Sequence, residues 1–264
     1  MANGAKGIGE EVSEMRTDRF TSFDGVELAV HSVGEEGGRP VVLVHGLFSS
    51  AHMNWIKFGH AAKLAEAGFR VIMPDLRAHG DSAAPHDASA YPEGVLSRDL
   101  AALVSHYQLT DYDLVGFSLG SRTSARAVID GLKPRRLVLS GMGLEGLAGW
   151  ANRAAFFIDA IDRFDDIARG DPAFMAKSFM KTMDVDRVAA RKLLLAVDDT
   201  EEGELAAITM PTMVLCGADD RDNGSAPDLA NALPKGEYTE IPGTHMSSVA
   251  EGAMGDALTR FLSD

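Results

Sequence analysis

The sequence predicts a single α/β domain, a mostly parallel β-sheet with helices packed on both faces. Two observations carry this. Apolar strand-like runs alternate with helix-like runs along most of the chain, and such alternation calls for a parallel sheet with right-handed crossovers. The run Val41-Val42-Leu43-Val44 is apolar at every position, as a strand covered by helices on both sides must be. The scale agrees: 264 residues, 45% hydrophobic and 24% charged, supply one large core, and open sheets of this length commonly stay undivided.

The elements follow in order. Residues 1–15 are Gly-rich and polar without periodicity, so this segment is expected to be mobile. Residues 16–23 and 26–33 suit strands, and Asp24-Gly25 between them is a strong hairpin signal. Residues 40–45 form the next strand, and 51–68 read as a helix closed by Gly68. Strands at 69–74, 113–116 and 136–139 alternate with helices at 94–107 and 119–132. The rhythm then breaks. From 141 to 208 helical runs dominate (150–169, 172–183 and 185–197), and alternation resumes with strands at 211–216 and 238–241 and helices at 227–233 and 248–262. The expected organisation is a sheet-bearing core of residues 16–140 and 209–264, with a helical insertion of residues 141–208 after the sixth strand.

Composition excludes several roles. The net charge of −14 repels phosphate backbones and anionic lipid, so nucleic acid and membrane surfaces are not expected partners. Residues 1–15 carry three glutamates and no apolar stretch, unlike a signal peptide, and no run is long enough to span a bilayer. The cytoplasm is therefore the expected compartment. The single cysteine, Cys216, lies in an apolar strand run and reads as a buried structural thiol. There is no cysteine pair, no His-x-x-x-His and no phosphate-loop sequence, so neither a metal nor a cofactor is expected.

The chemistry sits at strand ends. Gly116-Phe117-Ser118-Leu119-Gly120 follows one strand run and opens a helix. A serine at such a turn projects its hydroxyl above the sheet, and its neighbours two before and two after must be small. The helix dipole then favours negative charge near the serine. His45-Gly46-Leu47-Phe48 closes the 40–45 strand and can turn the Leu47 amide into the crevice above the sheet edge. With the Leu119 amide it would make a two-donor oxyanion hole. Three acids, Asp219, Asp220 and Asp222, follow the 211–216 strand, and His245 follows the last strand. Ser, then Asp, then His is the order in which a nucleophile, an orienting carboxylate and a base occur in one group of serine enzymes. His45 and His79 read as structural, and Asp75 with Arg77 as an internal pair pinning the 75–82 loop.

These motifs together, Asp75-Leu76-Arg77-Ala78-His79-Gly80-Asp81-Ser82 among them, resemble the α/β-hydrolase superfamily from about residue 16 to 262. Its small, lid-bearing serine hydrolases are the most similar: carboxylesterases, enol-lactonases, carbon–carbon bond hydrolases and cofactor-free haloperoxidases. Two positions depart from the usual pattern, Ala78 and Ser121 standing where glycine is common. The resemblance implies a mostly parallel eight-stranded sheet with residues 141–208 as a helical lid. It singles out Asp220 as the acid, with Asp219, Asp222 and Glu145 as alternatives. It further implies cleavage of a small or medium, largely apolar ester or lactone through Ser118, His245 and Asp220. The alternatives are carbon–carbon bond hydrolysis, perhydrolysis, or a ligand-receptor role that keeps the same residues.

Overall fold

The protein is described by a computed structural model covering residues 14–264. The segment 1–15, expected to be mobile, lies outside the described residues apart from Glu14 and Met15. Eight strands form one sheet: β1 (Arg16–Thr21), β2 (Glu27–Val33), β3 (Arg39–Val44), β4 (Phe69–Pro74), β5 (Asp113–Phe117), β6 (Leu137–Ser140), β7 (Thr212–Gly217) and β8 (Gly236–Ile241). Their spatial order is β1-β2-β4-β3-β5-β6-β7-β8. The first two pairings, β1 with β2 and β2 with β4, are antiparallel, and every other pairing is parallel.

Strand chemistry explains the two-sided core. Along β3, Val41 and Leu43 face one apolar cluster while Val42 and Val44 face the other, and all four are fully buried. Leu114 and Val115 of β5 divide in the same way, as period-two side chains must. Helices α1 (His60–Glu66) and α9 (Gly252–Ser263) cover one face with Leu64, Leu258 and Phe261. The helices α2 (Val95–His106), α3 (Leu119–Ile129) and α8 (Ala226–Ala232) cover the other. Between β6 and β7 run α4 (Leu144–Ala148), α5 (Trp150–Asp162), α6 (Phe174–Thr182) and α7 (Arg187–Leu195), with no strand among the described residues there.

The first hairpin turns at Asp24-Gly25 as expected: the Gly25 amide donates to the Ser22 carbonyl at 3.1 Å, the Ser22 amide donates to the Val26 carbonyl at 2.8 Å, and Gly25 takes a left-handed φ of 89°. The Asp24 carboxylate accepts from the Val26 amide and binds Arg77. One local expectation changes. The expected helix 51–68 is two pieces. A single π-helical turn, His52–Ile56, ends where Gly59 turns left-handed at φ 80°, and α1 starts afresh at His60. No helix among the described residues is long and apolar enough to cross a membrane.

The C-terminal ends of β3, β5, β7 and β8 share one edge of the sheet. Gly217 pairs with Ile241, so the loops after β7 and β8 leave side by side. That edge is where open α/β sheets place their crevice.

Candidate active site

Ser118 is the hinge between β5 and α3. Its backbone sits at φ 53° and ψ −112°, a conformation rarely taken by a residue with a side chain and a mark of stored strain. Close packing imposes it. A Cβ on Gly116 would lie 2.3 Å from the Gly120 carbonyl oxygen, and one on Gly120 would lie 2.1 Å from that of Val44. Only glycine fits at either place, so the spacing of the motif is a packing requirement.

The structure brings Ser118, His245 and Asp220 together. The Ser118 hydroxyl donates to Nε2 of His245 at 3.0 Å, and Nδ1–H of His245 donates to Oδ2 of Asp220 at 2.9 Å. The Asp220 side chain is 4% exposed and that of His245 8%. Burial alone would raise the Asp220 carboxyl. The hydrogen bond and charge of His245, the Asp222 amide and Arg153 outweigh it and hold the carboxyl below its ordinary value. Asp219 and Asp222 have exposed side chains, and Glu145 accepts instead from the Ser225 amide at 2.8 Å.

The Leu47 and Leu119 residues both border the cavity beside Ser118. Neither amide donates to another group among the described residues, so both donors are available to an incoming oxygen. The loop carrying Leu47 is tied down by imidazoles. The Leu76 amide donates to His45 Nε2 and the Phe48 amide to His79 Nε2, each at 2.9 Å, while Asn54 Oδ1 accepts from the Gly46 amide. Phe48, at φ 57°, is thereby held in a left-handed conformation. Both histidines thus have the structural place expected of them, and both must be neutral to accept.

Burial enforces that neutrality. It lowers His45 and His60, and pushes His79 down to about 3 with help from the nearby His45. Each of these binds fewer protons folded than unfolded. Its stabilising contribution is complete above the unfolded value of 6.5 and shrinks as the pH falls below it. His31 has the opposite sign: its hydrogen bond to Asp75 raises it despite partial burial, so its contribution is full below 6.5 and fades as the pH climbs through the folded value. The carboxyls of Asp99, Asp113 and Asp198 are raised by burial and share the sign of His31. For His79 alone, the 1.5-unit gap between 6.5 and pH 5 costs about 2 kcal/mol. Between pH 7.5 and pH 5 the urea midpoint of the wild type should therefore fall relative to that of His79→Gln. An equal change in both proteins would contradict the neutral imidazole at His79.

One expected pair is corrected. Arg77 does not bind Asp75. Its fully buried guanidinium reaches Asp24 at 2.6 Å and Asp99 at 2.7 Å, with a further bond to the Ala90 carbonyl. Asp75 instead accepts from His31 at 3.2 Å and from the amides of Ala51 and Asp81 at 2.8 Å. Although burial would raise it, these partners and His45 hold the carboxyl at about 2. Asp75 sits at the end of β4, one strand from His31 on β2, so its nearest donors come from β2 and the backbone. His31, Asp75 and Asp81 are also the described residues close enough together to share a cation, but the Asp75 oxygens already serve two backbone amides. Cys216 is buried, and burial pushes its thiol up to about 12, as fits a structural residue.

A cavity of about 840 Å³ opens over Ser118 between the sheet edge and helices α4, α5 and α6. Sequence reasoning missed three residues that shape the site around it. Phe117 stacks on the His245 ring, centroids 5.1 Å apart. Asn223 donates to the Gly141 carbonyl at 2.8 Å. Arg122, second turn of α3, is buried against Trp150 and donates to Gly146, Leu147 and Asp198 carbonyls. Phe117 alone had a signal, its place inside the serine motif.

A family model described as the alpha/beta hydrolase fold matches residues 39–141. Over 212 residues the chain is 32% identical to the dihydrolipoyllysine-residue acetyltransferase component of an acetoin cleaving system from Pseudomonas putida, covering 71% of this chain and 54% of that protein. The chain thus spans about half the length of that relative. It is 29% identical over 237 residues to a non-heme haloperoxidase from Rhodococcus erythropolis, covering 76% of this chain and 81% of that one. The crystal structure of an esterase from a Rhodococcus species shares the fold with a TM-score of 0.73 at 23% identity, over 94% of this chain and 98% of that chain. With its eight-stranded sheet, the chain belongs to the α/β-hydrolase superfamily.

Proposed function

We propose that the protein is a serine hydrolase acting on a small or medium, largely apolar carboxylic ester or lactone. The observation that carries this reading is the hydrogen-bonded line Ser118–His245–Asp220 beside two undirected amides in one cavity wall. Ser118 Oγ attacks the carbonyl carbon while its proton passes to His245 Nε2. The carbonyl oxygen gains charge and takes the Leu47 and Leu119 N–H groups, donors already in place and so free of reorganisation. His245 returns the proton to the leaving alkoxide, and the acyl group stays on Ser118. Water then repeats the sequence in reverse roles and frees the acid. Asp220 holds the imidazole tautomer and steadies the imidazolium.

Helices α4 to α7 act in this reading as a lid that excludes water. The cavity volume supports a substrate of modest size, within the range of roughly 300–1,000 Å³ common for small-molecule sites. Apolar side chains such as Leu119, Met142, Phe157 and Phe179 border it, which favours an acyl or alkyl group. The chain charge of −14 speaks against polyanionic substrates. A chain-length series of p-nitrophenyl esters, run beside a lactone panel and a vinylogous diketone, tests the assignment. Preference for short and medium acyl chains or for lactones is expected. An optimum at long chains, or turnover of the diketone alone, would replace it with lipid or carbon–carbon bond hydrolysis.

A further inference from the structure

Arg153 on α5 stands in the wall of the same cavity with most of its hydrogen-bonding capacity unused. A guanidinium offers five N–H donors. In Arg153 one of them donates to the Asp222 carbonyl at 2.8 Å, and the group lies 5.7 Å from the Phe157 ring centroid. Among the described residues no carboxylate oxygen comes within 4.0 Å of it, whereas Arg122 in the same cavity meets three backbone carbonyls and Asp199. The frame closes around Arg122 and leaves Arg153 open. Arg153 is half-buried, and its desolvation lowers its pKa, with the charges of Asp222 and Asp220 opposing. A partly desolvated cation with no ion pair is costly to keep unless an anion joins it.

Resting on the hydrolase reading above, we propose that Arg153 anchors a carboxylate carried by the substrate. The substrate is then an ester or lactone with a free acid group at its far end: reacting carbonyl at Ser118, apolar span along Phe157 and Phe179, anion on Arg153. Glu145 and Asp222 also border the cavity. Both are exposed, where water and salt screen their repulsion.

The test compares mono-p-nitrophenyl adipate with p-nitrophenyl hexanoate, equal in chain length and different in the terminal charge. In Arg153→Gln, kcat/KM for the adipate ester should fall about 10- to 100-fold, the range of one charge-assisted bond, chiefly through KM. The hexanoate ester should lose less, only what the missing charge near Asp220 costs, so the ratio of the two kcat/KM values should fall. Arg153→Lys should recover part of the loss. Glutamine keeps a donor for the Asp222 carbonyl, so α5 stays attached. An equal change for both esters, or none for either, overturns the proposal. Calorimetry on Ser118→Ala protein with monomethyl adipate and methyl hexanoate reads the same contact without turnover. Tighter binding of the anion, lost when Arg153→Gln is added, supports the anchor. Equal affinities, or a preference that survives the substitution, remove it. Should the protein neither turn over an ester nor react with a fluorophosphonate, the hydrolase reading fails, and the binding measurement still decides Arg153.

Discussion

Ser118→Ala is expected to lower kcat on p-nitrophenyl esters by roughly 10⁴- to 10⁶-fold, the range for losing the nucleophile of such a set. The residual rate would come from the two amide donors and from binding. Stability should barely move, because alanine keeps the Cβ already accommodated at φ 53° and only the hydroxyl facing the cavity is lost. Incubation with a fluorophosphonate followed by peptide mass spectrometry should place the adduct on Ser118 in the wild type and find none in the variant. Labelling elsewhere, or labelling unaffected by the substitution, would sink the nucleophile assignment.

Asp220→Asn should rank second, with kcat reduced about 10⁴-fold and the fold retained. Asparagine fills the same space beside His245 Nδ1, but it can donate to that nitrogen, and the imidazole then turns its N–H toward Ser118. A proton acceptor becomes a donor. The loss should not be recovered by raising the pH within the neutral range, because the asparagine amide does not ionise and cannot supply the missing charge. Asp219→Asn, Asp222→Asn and Glu145→Gln should stay within a few-fold of wild type, since none of their carboxylates touches His245. Near-normal kcat in Asp220→Asn would move the acid to Asp219 or Glu145.

Residues whose role depends on a strand end were legible in the sequence. The apolar block 41–44 and the glycine-flanked serine state their environment within a few positions, because burial on two faces and a tight turn are local demands. The order of Ser118, Asp220 and His245 along the chain was readable for the same reason: each closes its own strand. Pairings made across the fold were not. Arg77 finds Asp24 across 53 residues and Asp99 across 22, and nothing near Arg77 distinguishes these acids from Asp75 two positions away. The broken helix at 52–66 was hidden because its apolar spacing continues through Gly59 while the backbone does not. Arg153 had no signal at all, since its meaning lies in partners it lacks.

The packing around the elbow separates two kinds of position in evolutionary terms. Gly116 and Gly120 are locked by backbone atoms closer than any side chain tolerates, so drift at either site breaks the bend itself. The residue between them is free of that lock. Its side chain projects into a cavity rather than into a wall, and another short nucleophile, a thiol or a carboxylate, would be delivered to the same point over the sheet edge. The bend therefore behaves as a socket. Under the proposed reading, exchanging the reactive atom at this position leaves the contacts of Gly116 and Gly120, and so the bend, in place.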